Sequence, residues 1–212
     1  MVIVIASSKG GSGKTTTTIH LAVCAQLAGE TVAIVDCDPQ GSALAWASAR
    51  EAAQPIVAGA EPRDIAKALA KARSAGCSTI VVDTQPRASA SLQYIVREAD
   101  FVVIPVQPSP LDLATGEGTQ RVVQAVGKPF AFLLSRCPVR SPDVALSRTT
   151  LEAYGGDVFD ATIGDRRIYS RSLQTGRSCQ EYEPASDASR EIAALWDELA
   201  RRSRGIQTAN AV

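Results

Sequence analysis

The chain has 212 residues, of which 45% are hydrophobic; this is enough for the core of one domain and excludes a chain disordered throughout. Its 22 Lys and Arg residues balance 22 Asp and Glu residues, which excludes nucleic-acid binding through overall charge but permits a basic patch. Five cysteines without a CxxC pair and a single histidine give little support to a zinc site or a disulfide framework. Because no signal peptide or membrane-spanning run is visible, we expect a cytoplasmic protein.

Short apolar runs rich in Val and Ile alternate with longer Ala-rich segments. The runs are typical of strands buried on both faces and lie at residues 2–6, 31–36, 79–83, 101–106 and 130–134. Segments with helical periodicity lie at residues 14–28, 42–52, 62–75, 88–99, 111–126, 142–154 and 185–202. This alternation predicts an α/β three-layer sandwich, in which a mostly parallel, twisted sheet is flanked by helices on both faces. We expect a single domain at residues 1–202 and a frayed, disordered tail at residues 203–212.

A glycine-rich loop follows the first predicted strand and precedes a predicted helix. Its glycines allow successive backbone N–H groups to converge on an anion at the start of the helix. Lys14 is placed to contact the β- and γ-phosphates of a nucleotide, and the Thr15 hydroxyl is placed to bind Mg²⁺. Ser8 stands where the common GxxxxGK[ST] motif has its first glycine. The predicted nucleotide-binding residues of the loop are Lys9, Gly10, Gly11, Ser12, Gly13, Lys14, Thr15 and Thr16.

The resulting KGGxGK[ST] pattern, with its additional lysine at Lys9, resembles the deviant Walker A motif of the ParA/MinD superfamily of P-loop ATPases. The resemblance implies an ATP-dependent homodimer in which Lys9 reaches the nucleotide of the other subunit. A cation that arrives in this way would stabilise charge on the transferring phosphoryl group, as an arginine finger does.

Three carboxylates follow buried strands at the edge of the sheet where the loop lies. Asp36 and Asp38 end the second strand, and two adjacent carboxylates that share a cation fit a Mg·ATP site, although an exposed Asp-Pro turn is an alternative. Their segment resembles the family's DxDPQG motif, which implies that Asp38 orients or deprotonates the attacking water and that Asp36 supports the metal site. Asp83 ends the third strand as in a Walker B motif and would hold Mg²⁺ directly or through water. The following Thr84-Gln85-Pro86 departs from the double proline common in the family.

Segments 36–46, 104–112 and 161–171 resemble the ParF-type partition ATPases, a short subgroup without an N-terminal DNA-binding domain. The resemblance covers residues 1–202 and suggests Arg166 near the base and Asp112 near the nucleotide or the dimer face. An ordinary surface position is the alternative for both residues.

Members of the resembled family bind DNA non-specifically as ATP dimers, through basic residues in the C-terminal half. The candidates in this chain are Arg136, Arg140, Arg148, Arg167 and Arg171, although a solvated surface of mixed charge is an alternative. Membrane binding of the MinD kind needs a terminal amphipathic helix, a requirement that residues 201–212 meet poorly.

The sequence as a whole predicts an ATPase that uses ATP and Mg²⁺, dimerises on ATP and binds non-specific DNA of the nucleoid. A ParB-like or cargo-adaptor partner would stimulate its slow hydrolysis, and the cargo would be a plasmid, a chromosome or a large protein assembly. The alternatives are a MinD-like positioning protein, a P-loop enzyme acting on a small metabolite, and a binding module with vestigial hydrolysis.

Overall fold

A computed structural model describes residues 1–86 and 90–209. One six-stranded sheet runs through the molecule, and every pair of neighbouring strands is parallel. The strands are β1 (Val2–Ile5), β2 (Val32–Asp36), β3 (Ile56–Gly59), β4 (Thr79–Asp83), β5 (Phe101–Val106) and β6 (Phe130–Leu134). Their order in the sheet is β3-β2-β4-β1-β5-β6, so β1 lies between β4 and β5. The strand order reverses at β1, which places a crevice at its carboxyl end.

Helices cover both faces of the sheet. They are α1 (Lys14–Leu27), α2 (Ser42–Ser48), α3 (Ile65–Ser74), α4 (Ala90–Arg97), α5 (Pro110–Val126), α6 (Asp143–Ala153), α7 (Arg167–Gln174), α8 (Cys179–Tyr182) and α9 (Asp187–Ala209). A short 3₁₀ helix, Pro62–Asp64, precedes α3. Among the described residues, no helix has the length and apolar character needed to cross a membrane.

Alternate residues of the buried strands pack against opposite helical layers. Ile3 and Ile5 of β1 belong to a core shared with α1, α2, α7, α8 and α9. Val2 and Val4 belong to a second core, shared with α3, α4, α5 and α6. These two cores confirm the predicted three-layer sandwich. All strands in it are parallel, where the sequence predicted a mostly parallel sheet.

Three elements lie outside the sequence prediction. The edge strand β3 was not predicted because its apolar run, residues 56–58, is short and mostly exposed. Helices α7 and α8 are short, with eight and four residues, and were not predicted either. The predicted start of a helix at residue 88 lies outside the described residues.

Helix α9 extends beyond the predicted end of the last helix at residue 202, where Arg202 anchors it to the segment that follows α6. Arg202 donates hydrogen bonds to Glu198 and to the carbonyl of Val158, and its guanidinium lies 5.0 Å from the Phe159 ring centroid. The helix continues to Ala209, so the predicted tail begins within it, and residues 210–212 lie outside the described residues. The division into a domain and a tail stays a prediction.

Candidate nucleotide-binding site

The glycine-rich loop lies at the carboxyl end of β1, as the sequence predicts. Gly13 has a φ of 90° and is the N-cap of α1, a conformation that L side chains rarely adopt. Lys14 is only 6% exposed, and its ammonium group donates a hydrogen bond to the carbonyl of Lys9 at 3.0 Å. Burial lowers the pKa of Lys14, against the opposing charges of Asp83 and Asp38. The loop therefore folds around its own lysine.

The residues that directly follow β5 and β6, together with one residue of α5, hold the loop in place. The Ser135 hydroxyl donates to the carbonyl of Ser12 at 2.8 Å, and the Gln107 amide donates to a loop carbonyl at 2.9 Å. Thr119 of α5 accepts from the backbone N–H of Ser8 at 3.1 Å. Sequence analysis missed these three residues. The only signal for Gln107 and Ser135 is that each directly follows the carboxyl end of a strand, which is the edge where the site lies.

Thr15 and Asp83, two of the predicted metal-binding residues, contact each other. The Thr15 hydroxyl donates to Oδ2 of Asp83 at 2.6 Å, and the Thr18 hydroxyl donates to Oδ1 at 3.4 Å. Burial raises the pKa of Asp83 to about 7; the charges of Asp36 and Asp38 act in the same direction, whereas Thr15 and Lys14 oppose them. Hydroxyl and carboxylate oxygens beside a phosphate-binding loop are ligands that suit Mg²⁺, so these residues fit that ion.

Asp36, the third predicted metal-binding residue, has other partners. It is 3% exposed, and its Oδ1 accepts a hydrogen bond from the backbone N–H of Asp38 at 3.0 Å. Its Oδ2 accepts from the backbone N–H groups of Ala43 at 3.0 Å and Leu44 at 3.2 Å. Both oxygens are therefore bonded to backbone amides rather than directed at Thr15. Among the described residues, no group of three or more His, Cys, Asp or Glu side chains is arranged to hold a metal ion.

A cavity of about 700 Å³ adjoins the loop, a size that is ordinary for a small-molecule site. Asp38 lines it, partly exposed, and its Oδ1 accepts from the backbone N–H of Gln40 at 3.0 Å. The loop residues that line the cavity are Gly10, Gly11, Gly13, Lys14, Thr15 and Thr16. Ser12 is buried at 1% exposure and is not among them. Ile163, Tyr169 and Leu173 contribute apolar surface on which a planar base could lie.

Arg166 also lines this cavity, but its guanidinium is held by carboxylates of α9. Its Nε lies 2.8 Å from Oε1 of Glu191, and one of its terminal nitrogens lies 3.0 Å from Asp187. The hydroxyl of Tyr169 donates to the second oxygen of Glu191 at 2.7 Å. The structure therefore places Arg166 in the wall of this cavity in a fixed orientation; its position near the base stays a prediction.

Lys9 contacts Asp112 of its own chain. The ammonium nitrogen lies 2.8 Å from Oδ2 of Asp112, with the lysine side chain 40% exposed and the aspartate side chain 7% exposed. Ser109, the N-cap of α5, donates to the same carboxylate oxygen. Oδ1 of Asp112 is buried and has no hydrogen-bond partner among the described residues. The structure therefore brings the two residues together at the edge of the phosphate-binding loop.

The arginines predicted to bind DNA differ in their surroundings. Arg136 lies 3.6 Å from Asp165, and Arg148 donates to the carbonyl of Phe159 at 2.7 Å. The other three are exposed, and no carboxylate in the described part of the chain lies within 4.0 Å of them. They are Arg140, which follows β6, and Arg167 and Arg171, which lie four residues apart on α7.

Comparisons with known proteins identify relatives that share this architecture. The family described as "CobQ/CobB/MinD/ParA nucleotide binding domain" matches residues 3–179. Maintenance of carboxysome distribution protein A from Gloeobacter kilaueensis is 36% identical over 206 residues, which is 94% of each chain. Protein ParA from Rhizobium radiobacter is 29% identical over 82% of this chain and 83% of its own. The septum site-determining protein MinD from Pyrococcus horikoshii, solved with Mg-ADP, has a TM-score of 0.77 at 19% identity, covering 93% of this chain and 95% of that chain.

Proposed function

The chain belongs to the CobQ/CobB/MinD/ParA nucleotide-binding domain family, and we propose on that basis that it is an ATPase of the cargo-positioning kind, which dimerises when it binds ATP. The family match confirms the resemblance carried by the glycine-rich loop and the carboxylates that follow the strands. The observation that carries the proposal is the loop itself, which brings Lys14, Thr15 and Asp83 together beside a cavity of about 700 Å³.

The loop would bind the triphosphate through its backbone N–H groups and the ammonium group of Lys14. Thr15 and Asp83 would hold Mg²⁺, which supplies positive charge to the phosphate oxygens. Asp38 lines the same cavity, so its carboxylate would orient the attacking water or accept its proton. The apolar surface of Ile163 and Leu173 would support the base.

Dimerisation would give Lys9 a second partner. In a single chain its ammonium group is bound to Asp112, so the lysine has to leave this carboxylate to reach the nucleotide of another copy. The lysine is partly exposed, but its departure leaves the buried Asp112 carboxylate without a cation, and charge-assisted contacts with a triphosphate would have to offset that cost.

The ATP dimer would bind DNA of the nucleoid through phosphate contacts, and a ParB-like or cargo-adaptor protein would stimulate hydrolysis and so release it. Arg140, Arg167 and Arg171 are the predicted arginines best placed for this contact, because they are exposed and carry no ion pair within the described residues. Pairing two copies doubles any such surface, which favours binding by the dimer over the monomer. A plasmid, a chromosome or a large protein assembly would serve equally as cargo.

Sedimentation of the purified chain with ADP and with a non-hydrolysable ATP analogue tests the proposal. We expect a monomer with ADP and a dimer with the analogue. Lys9→Ala should abolish the dimer, whereas Lys67→Ala, which removes an exposed lysine from α3, should leave it unchanged. Asp38→Ala should form the dimer with ATP and retain it, because the carboxylate that activates water is missing.

DNA retention in the same nucleotide states completes the test. We expect the protein to retain DNA with the ATP analogue and to retain little with ADP. The amount of DNA retained in each state should fall steeply as the salt concentration rises. A chain that stays monomeric with the analogue, or retains DNA equally in both states, would contradict the proposed function.

A further inference from the structure

Asp36 connects the segment that carries Asp38 to the first turn of α2. Its Oδ1 accepts from the backbone N–H of Asp38, and its Oδ2 accepts from the backbone N–H groups of Ala43 and Leu44, at distances between 3.0 and 3.2 Å. Its exposure is 3%. A buried carboxylate with backbone donors on both oxygens is fully hydrogen-bonded, and it fixes the chain segments that supply those donors.

The backbone N–H of Cys37 donates to the carbonyl of Asp83 at 2.9 Å, so the contact with β4 continues one residue past β2, and the residues beyond Cys37 are held by local contacts. The Asp38 carbonyl accepts from the backbone N–H of Gly41 at 2.9 Å, and the Asp38 carboxylate accepts from Gln40 at 3.0 Å. These bonds shape the turn but do not attach it to the sheet. The Asp36 carboxylate attaches the turn to the sheet, because Asp36 is the last residue of β2 and lies in register with Asp83 of β4. Among the described residues, the Asp36 side chain is thus the side-chain contact that adds to the Cys37 backbone bond in fixing the Asp38 main chain relative to the sheet.

The same contacts separate Asp36 from the metal-binding pair. The Thr15 hydroxyl is bonded to Asp83, and among the described residues Asp36 forms a hydrogen bond with neither of them. Asp36 and Asp83, which lie in register on neighbouring strands, thus have different side-chain partners.

We propose that Asp36 is a positioning residue for ATP hydrolysis, which fixes the Asp38 main chain against the sheet and α2 and is not a ligand of Mg²⁺. This inference rests on the proposed function, in which Asp38 acts on the attacking water. A displacement of about 1 Å at such a group is enough to reduce the rate by about 100-fold. Nucleotide and metal binding, which use the loop, Thr15 and Asp83, do not depend on it.

Asp36→Asn tests the assignment, because the asparagine amide has the same shape but replaces one acceptor oxygen with a donor that faces backbone N–H groups. We expect kcat for ATP hydrolysis to fall by at least about 10-fold, while KM for ATP and the Mg²⁺ concentration for half-maximal nucleotide binding change by less than about 3-fold. The variant should also accumulate as the ATP-bound dimer, which a merely misfolded chain would not do. Asp83→Asn, which alters the metal-binding pair, should instead raise the Mg²⁺ requirement.

Asp36→Glu provides a second variant, because it keeps a carboxylate that could bind a metal but moves its oxygens away from the amides. It too should lower kcat without a higher Mg²⁺ requirement, and thermal unfolding identifies the temperatures at which each variant is folded. The assignment is overturned if excess Mg²⁺ restores turnover of either folded variant, or if turnover is unchanged in both. Absence of hydrolysis by the wild-type chain would overturn the proposed function as well, whereas wild-type turnover with a Mg²⁺-rescued variant would overturn this assignment alone.

Discussion

Asp83 is the most deeply buried carboxylate of the candidate site. It is fully buried, and its two oxygens accept hydrogen bonds from the hydroxyls of Thr15 and Thr18. Burial raises its pKa to about 7 from an ordinary value of 3.8. The folded chain therefore binds a proton that the unfolded chain releases between about pH 4 and about pH 7.

The contribution of Asp83 to the stability of the nucleotide-free protein should consequently fall as the pH rises through this range and then level off, whereas buried His20, whose pKa is lowered to about 4, contributes in the opposite direction. Asp83→Asn replaces the titrating carboxyl group with an amide. The free energy of unfolding of the variant, relative to that of the wild type, should therefore be higher at about pH 8 than at about pH 4, by up to a few kcal/mol. Urea denaturation at these two pH values measures the difference. Asp64→Asn, at an aspartate whose side chain is 60% exposed, is the control that should show little pH-dependent gain. An equal offset of the Asp83 variant at both pH values would contradict the expected pKa.

At the scale of the elements, α2 is attached to the rest of the molecule at both ends. Asp36 holds its first turn, and Arg50 holds the segment that follows its last residue. The Arg50 side chain is 3% exposed and donates to both carboxylate oxygens of Glu181, at 2.9 and 2.6 Å. It also donates to the carbonyl of Gly176 at 2.9 Å and lies 4.9 Å from the Trp46 ring centroid. This arginine therefore joins α2 to the turn between α7 and α8.

Close backbone packing at this junction explains why residue 176 is a glycine. A Cβ at Gly176 would lie 2.3 Å from the carbonyl oxygen of Ala49, and its φ is 68°. Gly155 has a similar φ of 73° but no atom within 4 Å of the corresponding Cβ. Both Ala variants would carry the strain of a left-handed conformation, about 1–2 kcal/mol, but only Gly176→Ala adds a clash with backbone. Thermal unfolding should therefore show a loss of a few degrees for Gly155→Ala and at least about twice that loss for Gly176→Ala, and equal losses would contradict the tight junction.

Some elements of the fold and of the site were predictable from the sequence, and others were not. Strands β1, β2, β4, β5 and β6 were predicted because burial on both faces leaves an uninterrupted apolar run, whereas β3 lies at an edge and its apolar run of three residues is mostly exposed. The loop around Lys14 and the Walker B aspartate were predictable because each lies in a local motif. Arg50 and Glu181 are 131 residues apart in sequence, so no local pattern connects them. Asp36 was predicted as a site residue, but its backbone partners depend on the path of the chain after β2.

At the scale of the whole molecule, exposed basic residues lie on both helical layers. Arg171 lies on α7, in the layer that contains α1 and α9, and Lys67 and Lys71 lie on α3, in the opposite layer. The chain as a whole has no net charge, so only the arrangement of such residues distinguishes one face from another. A matched comparison between the two layers can therefore identify the face that contacts DNA.

We expect the double variant Arg140→Ala and Arg171→Ala to weaken DNA retention of the ATP-bound dimer and to reduce the slope of log affinity against log salt by about 2, because two phosphate contacts are lost. The variant Lys67→Ala and Lys71→Ala removes the same charge from the opposite layer and should retain DNA like the wild type. Arg167 is left unchanged because it lines the nucleotide cavity. Equal losses in the two double variants would show that net charge, rather than the positions of Arg140 and Arg171, governs binding.

The contact between Lys9 and Asp112 gives the proposed dimer a way to dissociate after hydrolysis. In the separate chain the ammonium group has an anionic partner, so association moves it to phosphate and leaves the buried Asp112 carboxylate with the Ser109 hydroxyl but without its cation. This loss opposes association, so the dimer depends on the terminal phosphate to offset it. Cleavage of a single bond in the nucleotide would then be enough to return the lysine to its own chain.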